Sequence, residues 1–164
     1  MKVKEIMTGD AKCCDLNASL AEAAKMMWDS DCGVLPVLKD GKEIVGMITD
    51  RDICMGVAIR DRNPSGISVE EVMTGAVYSI TPDDDVHHAL ETMQEHKVRR
   101  LPVVDAEGEL QGILSMNDVT LHAEEPADRK APELSFSTVM KTYKVVCAHP
   151  TSVQKSDESM TATV

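Results

Sequence analysis

An α/β fold built from one β-α-β-β-α unit used twice, followed by an amphipathic helix, is what this sequence predicts. Three observations lead there. The chain matches itself without a gap at an offset of 66 residues, Val3–Asp52 running over Val69–Asp118. In each copy, apolar residues at helical spacing are followed by two short aliphatic runs joined through a glycine turn. Neither copy is large enough to cover both faces of a sheet alone, so the two should pack through their sheets with pseudo-twofold symmetry.

The matches are dense. Val3/Val69, Glu5/Glu71, Met7-Thr8-Gly9/Met73-Thr74-Gly75, Ala23/Ala89, Met27/Met93, Leu35-Pro36-Val37/Leu101-Pro102-Val103, Glu43/Glu109, Gly46/Gly112 and Asp52/Asp118 coincide. Each copy opens on an apolar lead-in, Ile6-Met7 or Val72-Met73, closed by a glycine. Short first strands are expected near Ala11–Cys14 and Val77–Ile80. In the first helix, Ser19 and Glu22 have capping-box spacing ahead of the stripe Leu20, Ala23, Ala24 and Met27. In the second copy, Asp83, Asp84 and Asp85 suit the positive end of a helix carrying Val86, Ala89, Leu90 and Met93.

Two strands follow in each copy: Val34–Leu38 with Ile44–Ile48 around Asp40-Gly41, and Leu101–Val104 with Leu110–Leu114 around Ala106-Glu107-Gly108. Pro36 and Pro102 cannot donate to a ladder, which predicts an edge position or a local irregularity. Closing helices are expected over 51–62 and 117–122, with Asn63-Pro64-Ser65-Gly66 linking the halves. Residues 1–66 thus form repeat 1, 67–122 repeat 2, and 123–150 a charged linker plus an amphipathic helix from about Ser135 to Cys147. That helix rests on Phe136, Val139, Met140, Tyr143, Val146 and Cys147; a broken third repeat starting at Val139-Met140 is the rival reading. The Ser/Thr-rich stretch 151–164 has little to bury and is expected to be disordered.

Composition narrows the function. A net charge of −11 and 2% aromatic residues disfavour nucleic acid, which needs a basic face or stacking platforms. No apolar run reaches membrane-spanning length and no signal-peptide pattern opens the chain, so a cytoplasmic location is expected. Five cysteines without a CxxC read as reduced thiols, and no metal motif, P-loop or Ser/His/Asp grouping points to an enzyme. His87 and His88 do not share a helix face, His96 reads as surface, and Cys32 as a small buried residue.

The segments with chemistry are Gly46-Met-Ile-Thr49-Asp-Arg-Asp52 and Gly112-Ile-Leu-Ser115-Met-Asn-Asp118. In each, a hydroxyl ends a strand and an aspartate stands one turn into the next helix. A carboxylate only accepts hydrogen bonds, and two vicinal ribose hydroxyls would suit it as donors; free N–H groups at a helix start suit phosphate. The same spacing is also a plain capping box, and both readings stand on the sequence alone.

The doubled β-α-β-β-α pattern, the Leu-Pro-Val strands and the two Gly-apolar-apolar-Thr/Ser-x-x-Asp segments, over roughly residues 1–122, resemble a tandem pair of cystathionine-β-synthase (CBS) domains in a stand-alone module. The resemblance implies two clefts between the repeats that take adenine nucleotides or S-adenosylmethionine as regulatory ligand. It implies no required cofactor, no catalysis, a homodimer and an unidentified protein partner that reads occupancy. It places ribose on Asp118 and Asp52, phosphate on Ser115 and Thr49, and the apolar residues Ile113 and Met47 beside them. Each cleft also borrows from the other repeat, so Thr8, Lys12 and the Cys32-Gly33 backbone join the Asp118 side. Arg99 and Arg100 offer that side a phosphate clamp, which predicts preferential binding there over the Asp52 side. A scaffold acting through the C-terminal helix and a thiol-based redox sensor are the competing functions.

Overall fold

The structure, a computed structural model, describes residues 1–125 and 132–148. The predicted tail at 151–164 and part of the predicted linker lie outside the described residues. In chain order the elements are β1 (Thr8–Gly9), β2 (Cys14–Asp15), α1 (Leu20–Asp29), β3 (Val34–Lys39), β4 (Glu43–Thr49), α2 (Asp50–Arg60), α3 (Val86–His96), β5 (Arg100–Val104), β6 (Leu110–Ser115), α4 (Met116–Leu121) and α5 (Phe136–Val146). They form two three-stranded sheets, ordered β2-β3-β4 and β1-β6-β5. Among the described residues no helix is long and apolar enough to cross a membrane.

The lead-in segments are exchanged between the repeats. β1 from repeat 1 pairs antiparallel with β6 from repeat 2, Thr8 opposite Ile113 and Gly9 opposite Gly112. The pseudo-twofold counterpart is a single bridge, Met47 with Thr74, closed by N–H to carbonyl bonds in both directions at 3.0 and 2.9 Å. Lys2 bridges Asp85 while Ser68 bridges Ser19. Val3 and Ile6 are therefore buried in the core of Val86, Ala89, Leu90 and Met93, and Ile67 and Val69 in the core of Leu20, Ala23 and Met27. Each fully buried aliphatic side chain removed from water contributes about 2 kcal/mol. The packing units are thus out of step with the sequence repeats by one lead-in segment each.

This exchange accounts for two of the repeated glycines. A Cβ on Gly112 would stand 2.5 Å from the Thr8 carbonyl oxygen. One on Gly46 would lie 2.9 Å from the Thr74 carbonyl oxygen and 2.5 Å from the Met73 sulfur. At both glycines the close approach is therefore by backbone of the exchanged segment.

The prolines follow a related logic. β3 is the middle strand of its sheet, which corrects the edge expectation for Pro36, while β5 lies at the edge of its own. The expected irregularity is present one residue on, where the register shifts between Val37 and Leu38 and between Val103 and Val104. Ile80 donates to the Pro102 carbonyl and accepts from Val104. The next rung on that side would need the N–H that Pro102 lacks. The first strands are accordingly shorter than expected: Cys14–Asp15 in repeat 1, and in repeat 2 only the bridge from Ile80 to Val103.

The C-terminal helix forms where expected, with Ser135 as its N-cap accepting from the Thr138 N–H. It lies over α3 and α4 and adds Leu134 and Val139 to the second core. Thr142, wholly buried, accepts from Gln94 Nε2 at 2.8 Å and donates to the Thr138 carbonyl, so its hydroxyl is satisfied. Phe136 and Met140, expected on the buried stripe, sit on the outer side at 41% and 63% exposure. A threonine at the contact rotates the buried face away from them.

Candidate functional site between the repeats

A cavity of 540 Å³ opens beside the start of α4. Ser115, Asn117 and Asp118 form one wall, with Ile113 and Arg100 from the strands beneath. Thr8, Asp10, Ala11 and Lys12 arrive from the exchanged lead-in. The opposite wall is the end of α1 and the following turn, Asp29 to Val34, with Pro36. Of the twelve residues the sequence singled out, eight meet here: Ser115, Asp118, Arg100, Ile113, Thr8, Lys12, Cys32 and Gly33. Arg99, Thr49, Asp52 and Met47 do not line it. Arg99 is turned to solvent, its carbonyl accepting from the Met116 N–H, so the expected double-arginine clamp reduces here to Arg100.

The capping reading holds in full at both segments. Ser115 Oγ accepts from the Asp118 N–H at 3.3 Å, and Asp118 Oδ2 accepts from the Ser115 N–H at 2.7 Å and hydroxyl at 2.6 Å. Thr49 and Asp52 repeat the pattern, with contacts of 3.2, 2.9 and 2.7 Å. Capping occupies only one carboxylate oxygen. Asp118 Oδ1 has a single 3.3 Å contact, from the Thr8 hydroxyl across the cavity. That oxygen still has acceptor capacity on the cavity side. Capping and binding are therefore compatible in one residue.

Lys12 arrives already engaged. Its ammonium lies 2.8 Å from Asp10 Oδ2, and this contact holds the Asp10 carboxyl below its usual range and raises Lys12. Asp10, Asp29, Asp31 and Asn117 are lining residues the sequence reading missed. A signal for Asp31 existed: it ends α1 with φ +49°, a left-handed position where a short polar side chain is a frequent helix terminator.

The cysteines other than Cys32, and His87, His88 and His96, do not line this cavity. All five cysteines are unpaired, and burial pushes the Cys14 thiol up to about 11, which keeps it protonated and unreactive. Among the described residues no group of three or more His, Cys, Asp or Glu side chains is placed to hold a metal.

The CBS domain profile matches residues 3–58 and 69–125, the same two repeats. The protein YlbB of Bacillus subtilis (strain 168) is 35% identical over 136 residues, covering 82% of this chain and 89% of its own. Among solved structures, the CBS domain pair of protein MJ0100, in complex with 5′-methylthioadenosine and S-adenosyl-L-methionine, superposes with a TM-score of 0.67. It is 28% identical and covers 74% of this chain and 94% of its own. CBSX2 in complex with AMP gives a TM-score of 0.62 at 26% identity, over 73% of this chain and 93% of its own. With both repeats matched by one profile and the exchanged architecture in place, this chain belongs to the CBS domain family.

Proposed function

We propose that this protein is a non-catalytic regulatory module that binds an adenosine-containing ligand in the Asp118 cavity and passes occupancy to a partner. One observation carries the reading. A carboxylate oxygen left over from helix capping faces a cavity of 540 Å³ between the two repeats, with the other repeat's Thr8 and Gly33 around it. Two vicinal ribose hydroxyls are the donors that such an acceptor suits, and Arg100 supplies a cation for an acidic group. Solved relatives in complex with AMP, or with S-adenosyl-L-methionine and 5′-methylthioadenosine, support the ligand class.

Occupancy would be transmitted because the walls belong to different repeats. A ligand touching both biases their relative position by its differential affinity for the two arrangements. Self-association through the outer side of α1 and α2 fits the exposure of Trp28 (87%) and Ile59 (72%). Calorimetric titration with AMP and with 5′-methylthioadenosine tests the reading: saturable binding that Asp118→Ala weakens by about tenfold or more is expected. Flat titrations with these two and with S-adenosylmethionine would overturn it.

A further inference from the structure

We infer that the Asp118 cavity selects its ligand by charge, favouring an adenosyl compound with a positive centre, a sulfonium, over nucleoside polyphosphates, and that Asp31 sets this preference. The inference rests on the adenosyl reading of the site and adds the sign of the ligand's charge to it.

The lining side chains carry four carboxylates, Asp10, Asp29, Asp31 and Asp118, against two cations, Lys12 and Arg100. Lys12 is committed to Asp10, and Asp29 to Lys25 outside the cavity. Arg100 is left to meet one acidic group of a ligand. Asp31 makes no side-chain hydrogen bond or ion pair among the described residues, and it stands where α1 ends. The carbonyls of a helix's last turn present negative partial charge, so this wall is negative in its backbone as well as its side chains. A chain of net charge −11 adds a repulsive field at longer range.

A triphosphate brought into this space meets one uncommitted cation and two uncommitted acceptors, Asp31 and the free Asp118 oxygen. A sulfonium compound with an amino-acid tail distributes its groups differently. Its ribose hydroxyls suit Asp118, its carboxylate suits Arg100, and its cationic centre suits the Asp31 wall. The sequence repeat supplies an internal contrast. The counterparts of Asp31, Gly33 and Asn117 at the 66-residue offset are Lys97, Arg99 and Arg51, so the charge is reversed at the first position and a positive charge replaces a neutral residue at the other two.

The test is calorimetric titration of the full chain with S-adenosylmethionine, S-adenosylhomocysteine, AMP, ATP and adenosine. The first two differ by one methyl group and the positive charge on sulfur. S-adenosylmethionine should bind about tenfold tighter than S-adenosylhomocysteine, a ratio of the size that allosteric and specificity couplings commonly show, and ATP should bind more weakly than AMP. Asp31→Asn keeps a residue that tolerates the left-handed conformation, and it should bring the first ratio close to one. Asp10→Asn, which releases Lys12, should tighten AMP. Equal affinity for the sulfonium and the thioether, ATP binding tighter than AMP, or an Asp31→Asn ratio unchanged from wild type would each overturn the inference. If adenosine binds in those cases, the adenosyl reading survives; if none of the five binds, both fall.

Discussion

The two halves place the same acid at the same turn, Asp52 after β4 and Asp118 after β6, and give them different surroundings. On the Asp118 side, Lys12 and Ser30 line an open cavity. Their counterparts in the other half are Tyr78 and His96, whose rings stack with centroids 3.6 Å apart and planes within 7°. The pseudo-twofold sets this stack on the Asp52 side, where Lys12 and Ser30 leave space on the other. Both caps are built alike, so capping alone does not distinguish the two aspartates; what differs is the pair at the equivalent positions, Lys12 and Ser30 in one half against Tyr78 and His96 in the other.

The largest effect should come from the exchange that holds the halves together. Gly112→Val drives a side chain into the Thr8 carbonyl, a backbone atom that cannot rotate aside, and should cost about 3 kcal/mol in urea unfolding. At Gly46 the nearest atom is the Met73 sulfur, at the flexible end of a side chain, so Gly46→Ala should cost less than Gly112→Ala. Equal costs for the alanine pair would break the proposed difference between the two crossings.

Next in size is the contrast between the aspartates. Asp118→Ala and Asp52→Ala each remove a capping partner, and each should lower stability by about 1 kcal/mol. Only Asp118→Ala should also weaken AMP binding, by about tenfold or more, the value of one hydrogen bond to a charged acceptor. If Asp52→Ala weakens AMP equally, the two crevices are not functionally distinct. A smaller effect is expected from Tyr78→Lys, which places the repeat 1 residue at the repeat 2 position and removes the stack. Calorimetric stoichiometry should rise from one AMP per chain towards two, the added site being the weaker.

The duplication made most of this readable from the chain. The elements, the hairpins and α5 all follow from periodicity and turn residues, and Pro36 and Pro102 announced the bulges that stand beside them. What the sequence did not display was the exchange of lead-ins. Val3 and Val69 look equivalent, and nothing local says that each is buried in the other half. The same blindness explains the site. Thr8 and Lys12 reached the Asp118 list only through resemblance, because contacts between residues 110 positions apart leave no periodic trace. Asp29 and Asp31 carry no motif and reach the cavity only through the fold, and Arg99 entered with Arg100 through the resemblance, although in the structure only Arg100 lines the cavity.

The smallest expected effect concerns the two first helices, which are capped by different acids. The Ser19 N–H and hydroxyl bond to Glu22 and hold its carboxyl below the ordinary 4.5; the His87 N–H and ring do the same for Asp85 from an ordinary 3.8. A carboxyl whose folded value is depressed contributes stability that is complete above its unfolded value and is lost as the pH falls through the folded one. On acidification α1 should therefore begin to lose its cap at about 4.5, while α3 keeps its own until about 3.8. In urea unfolding, Glu22→Gln should be less stable than wild type at neutral pH and should start to converge with it just below 4.5. Asp85→Asn should start to converge only at lower pH. Convergence of both at one pH would mean that a shared acid transition, not the individual caps, governs how the two halves respond.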